Sequence, residues 1–110
     1  MTPDILNTLR LIKEDVDSRI TYRSEGEFAA LPDWTWVTPD SRGYGDCSVF
    51  TETYWRECED AGLKPVRKVC KVWQNGWVQH AYCNVGEWAM DCRFPNKVIL
   101  EKDGGYEEIV

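Results

Sequence analysis

Basic clusters, long apolar runs, paired cysteines and histidine are all scarce in this sequence. Thirteen Lys and Arg stand against nineteen Asp and Glu over 110 residues, a formal charge of −6. The acids are spread along the chain and no basic cluster opposes them. That excludes a nucleic-acid surface, whose affinity rests on Lys and Arg replacing phosphate counterions. No apolar run approaches the ~20 residues of a membrane span, so no membrane partner is expected. The opening MTPDILNTLRLIKEDVDSRI is charged and amphipathic. It lacks the basic start, apolar middle and small-residue cleavage site of an export signal. The five cysteines are Cys47, Cys58, Cys70, Cys83 and Cys92. Their odd number and the lack of any C-x-x-C pair speak against a disulfide framework and for reduced thiols in a cytoplasmic protein. A zinc site wants paired Cys or His at short spacing. The only histidine is His80, and the set His80, Cys83, Asp91 and Cys92 would have to be forced into such a site. No metal and no cofactor is expected.

What is present is the composition of a folded chain: 43% hydrophobic residues, 29% charged, with six Trp, five Tyr and three Phe. That suffices for one domain, residues 1–110, with one modest core. Thr2-Pro3 is a helix start, and Ile5, Leu9, Ile12, Val16 and Ile20 recur at helical spacing. Residues 21–45 show no sustained period and read as a long structured loop holding Trp34 and Trp36, a length often functional in a compact domain. Asp46 then caps a second helix from Cys47 to about Ala61, with Gly62 as its stop. Beyond it the period changes to two. Strands are expected at Val66–Trp73 and Trp77–Val85 around an Asn-Gly turn, at Glu87–Arg93, and as a last hairpin of Lys97–Lys102 with Tyr106–Val110. Two helices followed by an antiparallel sheet make an α+β domain.

The chemistry-bearing stretch is GYGDCSVF. At the first turn of a helix, Cys47 faces unpaired backbone N–H groups and the positive end of the helix dipole. Both favour thiolate, and the same N–H groups suit an oxyanion. Gly43 and Gly45 leave room for a substrate to approach. His80 lies mid-strand in GWVQHAYCNV, and Asp91 follows on the next strand in EWAMDCRF. A turn near Gly86 sets the two opposite each other on one face, so that the aspartate orients an imidazole serving the thiol. Each residue has a plainer reading: a buried Cys as a small core hydrophobe, a lone His as a satisfied core group, Asp91 as a strand or turn acid. It is the conjunction that points to nucleophilic catalysis.

With these residues in view, DWTWVTPDSRGYGDC, a helix, then WVQHAYCNV and WAMDCRF resemble the transglutaminase-like cysteine peptidases of bacteria and their phages. The match runs from about Trp34 to Pro95. The resemblance implies a papain-like/transglutaminase-like α+β fold, with the catalytic Cys at a helix N-terminus packed on an antiparallel β-sheet carrying His and Asp. It implies a Cys47–His80–Asp91 triad and amide or thioester chemistry on a protein or peptide substrate. It also implies a side-chain oxyanion donor upstream, for which Trp36 and Trp34 are the candidates. Members commonly read Gly-Asp-Cys-Glu-Asp; here Ser48 and Val49 replace the two acids that help bind calcium in calcium-dependent relatives.

The expectation is therefore a thiol hydrolase that cleaves a peptide or isopeptide amide through an acyl-enzyme. The alternatives are acyl transfer, as in a transglutaminase or deamidase, and a non-catalytic protein-binding module on the same fold.

Overall fold

The computed structural model describes residues 2–23 and 43–108; the candidate indole donors Trp34 and Trp36 lie outside them. The N-terminal stripe folds as helix α1 (Thr2–Arg19). Leu9, Val16 and Ile20 are buried and Ile12 packs against them, while Ile5 stays exposed. Lys13, on the same side, is also fully buried. Its Nζ donates to Asp17 Oδ2 at 2.6 Å and to the Phe94 carbonyl at 2.7 Å. A buried ammonium is tolerable only when its donors are matched in this way, and the match fastens α1 to the far end of the chain.

After α1, β1 (Thr21–Tyr22) pairs in parallel with β2 (Tyr44–Gly45). Helix α2 (Cys47–Asp60) follows. Its expected cap is present: Asp46 is extended, and its side chain accepts from Ser48 N at 3.0 Å, Val49 N at 3.4 Å and Ser48 Oγ at 2.6 Å. The helix ends at Ala61, and Gly62 takes φ +84°, a conformation glycine adopts at little cost.

The main sheet has the order β3 (Val66–Trp73), β4 (Trp77–Val85), β5 (Trp88–Met90), β6 (Ile99–Leu100), every pair antiparallel. The Asn75-Gly76 turn joins β3 to β4, both residues at positive φ. Side chains alternate along a strand. Cys83, Val85 and Met90 therefore face the helices, in one core with Leu9, Val16, Phe50, Tyr54 and Cys58. Cys70, Val72, Tyr82 and Ala89 form a second, smaller cluster on the other face, covered by Ile99 and Tyr106. Among the described residues no helix is long and apolar enough to cross a membrane.

Two expectations are corrected. The third strand is three residues, Trp88–Met90, rather than Glu87–Arg93; the chain turns out of the sheet at Asp91, where the carboxylate takes the Arg93 N–H. The last hairpin does not form among the described residues. Its first half is the short β6, which runs into a 3-10 turn (Glu101–Asp103). The segment after it crosses to the opposite edge, where Glu107 exchanges two 2.9 Å backbone hydrogen bonds with Lys71 of β3.

Candidate active site

Cys47 sits at the first position of α2, buried to 4% exposure. The capping carboxylate consumes the Ser48 and Val49 N–H groups, and the Asp46 carbonyl takes that of Phe50. The donors left at the sulfur are the N–H of Cys47 itself and, from the sheet, the N–H of Ala81. The second follows from strand length. β5 pairs with β4 only as far as Cys83–Met90, so beyond that point the flank of β4 has no ladder partner on that side among the described residues, and the end of α2 approaches it there through Cys47. The approach to the cysteine is equally constrained. Gly43 has φ +75°. A Cβ on Gly45 would lie 2.5 Å from Val49 Cβ, so this glycine makes room for the protein's own helix, where the sequence suggests room for a substrate.

His80 and Asp91 come together, but not as directly opposed residues. The observed register (Cys83–Met90, Asn84–Ala89, Val85–Trp88) carries Asp91 level with Tyr82. His80 is the next residue on that face, the diagonal partner. Its Nε2 lies 2.8 Å from Asp91 Oδ1, with His80 5% and Asp91 1% exposed. Burial alone would raise the Asp91 pKa. The hydrogen bonds and charges of His80 and Arg93 outweigh it and hold the carboxyl well below its usual range. An ionised carboxylate only accepts, so Nε2 carries the proton and Nδ1 is the nitrogen left for proton transfer.

The thiol is a different matter. Burial pushes Cys47 up to about 12, and the nearby charges of Asp46 and Asp91 add to the effect. The Ala81 and Cys47 N–H groups pull the other way and are outweighed. No sulfur–imidazole hydrogen bond is present among the described residues. Cys47 therefore rests as a thiol, contrary to the thiolate its position at a helix N-terminus suggests.

Three contributors escape a reading of the sequence. The Ala81 N–H has no side-chain signature. Arg93 donates from N, Nε and Nη2 to Asp91 at 2.8, 3.0 and 2.9 Å; its only trace is its place two residues after the aspartate. Tyr106 Oη donates to Asp91 Oδ2 at 2.8 Å from a segment whose local pattern reads as a strand. Cys92 is near as well: ligating atoms of His80, Asp91 and Cys92 lie within 4.8 Å of one another. Both Asp91 oxygens already accept from charged or ring donors, so a cation there would have to displace Arg93. No protein-family model matches this chain, and no curated protein matches it.

Proposed function

We propose that the chain is a thiol hydrolase of the transglutaminase-like cysteine peptidase kind, on a papain-like fold, cleaving a peptide or isopeptide amide. One observation carries the reading. A buried, charged Asp91 holds the Nε2 edge of the only imidazole, and the residue after that imidazole, Ala81, points its N–H at the sulfur of a cysteine opening a helix.

In this reading His80 is a general base acting on a resting thiol, since burial keeps the proton on Cys47. As Sγ attacks the carbonyl carbon, Nδ1 takes the thiol proton, and Asp91 steadies the imidazolium that forms. Charge developing on the carbonyl oxygen meets the Cys47 and Ala81 N–H groups. Collapse breaks the C–N bond, the amine leaves with the proton from Nδ1, and water hydrolyses the thioester by the same relay run through His80.

A second reading is favoured by the same thiol. Its raised pKa, its burial and the lack of a sulfur–imidazole hydrogen bond suit a non-catalytic protein-binding module. Substoichiometric iodoacetamide near neutral pH, with the adduct mapped by mass spectrometry, separates the two. Cys92 is the most exposed of the five cysteines, the other four being buried, so passive chemistry labels it first. Preferential labelling of Cys47, abolished by His80→Ala, supports the hydrolase; labelling of Cys92 with Cys47 untouched supports the module. With a model peptide, the product mass then tells hydrolysis from transfer to an amine.

A further inference from the structure

Asp91 is held far more tightly than the orientation of one imidazole requires. Oδ1 accepts from His80 Nε2 and the Arg93 N–H, and Oδ2 from Arg93 Nε, Arg93 Nη2 and Tyr106 Oη. A carboxylate offers about four lone-pair sites, so these donors leave it no freedom to turn. The Arg93 guanidinium also cancels its charge, so the pair needs no buried net negative charge.

The donors are themselves fixed from the C-terminal segment. Arg93 Nη2 donates to the Gly104 carbonyl at 2.7 Å. Tyr106 stacks on Tyr82 with ring centroids 3.7 Å apart and planes 6° from parallel, and Tyr82 Oη donates to Glu101 Oε2 at 2.6 Å. Glu107 is tied to Lys71 on β3. Gly104 is buried beneath the tyrosine, where a Cβ would lie 2.2 Å from Tyr106 Cε2. Through Arg93 and Tyr106 the segment reaches Asp91, while the main core has its own residues on the opposite face of the sheet.

We infer that Arg93 and Tyr106 are positioning residues for the Asp91–His80 pair, and that the segment Gly104–Glu107 is a strap that completes the candidate site from behind. Its consequence for turnover rests on the thiol-hydrolase reading; its consequence for the imidazole does not. Rigid placement is what such a strap contributes, because misplacing a catalytic group by about 1 Å costs up to ~10²-fold in rate.

Two measurements test this on the full chain. His80 is the only histidine, so ¹⁵N-histidine labelling gives one imidazole. Held against a carboxylate, its Nε2–H shows as a low-field proton in slow exchange with water. Tyr106→Phe keeps the ring stacked on Tyr82 and removes one donor, so that proton is expected to broaden. In Arg93→Gln it is expected to vanish and the ring to become a tautomer mixture, with Arg93→Lys restoring it in part. A His80 spectrum unchanged in folded Tyr106→Phe and Arg93→Gln overturns the inference. In peptide cleavage, the same variants are expected to lose between about tenfold and 10²-fold in kcat with KM unmoved. A rise in KM alone overturns the positioning role. Should the wild type cleave nothing while the imidazole responds as described, the hydrolase reading fails and the strap stands.

Discussion

A carboxylate, an imidazole and a thiol share one small region, and each is set by a different balance. Asp91 is buried and charged because its acceptor sites are filled. Cys47 is buried and protonated because two backbone donors do not offset desolvation and two nearby acids. These balances separate the variants. On the thiol-hydrolase reading His80→Ala removes the proton carrier with no second histidine to replace it, and is expected to cost ~10²–10⁴-fold in turnover. Asp91→Asn keeps the shape and a partial orienting contact, so it costs less activity but more stability. It leaves the half-buried Arg93 guanidinium without its counter-charge, at about 1–3 kcal/mol, read as a lower urea midpoint at unchanged slope. An Asp91→Asn protein that melts like wild type, or a His80→Ala protein that cleaves like it, contradicts these roles. Asp46 supports a further expectation. Its Oδ1 is occupied by the α2 cap, and beyond Cys47 Ser48 offers one neutral side-chain oxygen and Val49 none. Calcium needs six to eight oxygens, so melting in EDTA and in millimolar calcium is expected to coincide; a rise of several degrees with the ion refutes this.

The elements the sequence predicts best are those whose signals are local. α2 is legible from Asp46, the apolar spacing of Phe50, Tyr54 and Cys58, and Gly62. The β3–β4 hairpin is legible from Asn75-Gly76 between alternating runs. His80 and Asp91 are legible as a pair, because a diagonal and a directly opposed partner share one face and the shifted register does not part them. What is not legible is decided at long range. β5 stops at Met90 because Asp91 is drawn to Arg93, His80 and Tyr106, and the last strand is lost because Glu107 bonds to Lys71 across the sheet. Nor does the helical stripe of α1 announce that Lys13 is buried, since its partners include a backbone carbonyl 81 residues away. At the junction of β2 and α2 the two local devices can be separated. Asp46→Ala removes the cap and is expected to cost about 0.5–2 kcal/mol. Gly45→Ala drives a methyl into Val49 and is expected to cost about 1–3 kcal/mol, and it shifts Cys47 against Ala81 as well. The discriminating readout is Cys47 alkylation rate relative to stability loss. Gly45→Ala should change the rate more than Asp46→Ala at matched melting temperature, and equal changes mean the glycine only packs.

For the whole molecule, the buried ionisable groups define a pH window. Asp91 has its folded pKa depressed below the unfolded value of about 3.9. Its stabilising contribution is present above that value and is lost as pH falls through the folded one. Glu101 has the same sign: burial acts against it, while hydrogen bonds from Tyr82, Lys68 and Asn84 and the Lys68 charge prevail. Both acids bind the C-terminal segment to the sheet, Asp91 through Arg93 and Tyr106 and Glu101 through Tyr82. Acid should therefore loosen the strap before the helical core. On the alkaline side burial raises Cys47 and Cys70 to about 12, and raises Cys83 and Cys92 as well, with the hydrogen bond that the Cys83 thiol donates to Cys58 leading the causes at Cys83. An unfolded thiol ionises near 8.5. The native state thus keeps protons that the unfolded chain releases, and stability is full below about 8.5 and falls as pH rises towards 12. Melting under reductant should show a plateau between about pH 5 and 8 with a descent on each side. Cys70→Ala, on the face away from the helices, should flatten the alkaline limb while leaving the acid limb alone, and Asp91→Asn should do the reverse. A melting temperature unchanged from pH 8 to 10.5 would show that these thiols are not held from water in the native state, and with them the protonated resting state assigned to Cys47 would fall.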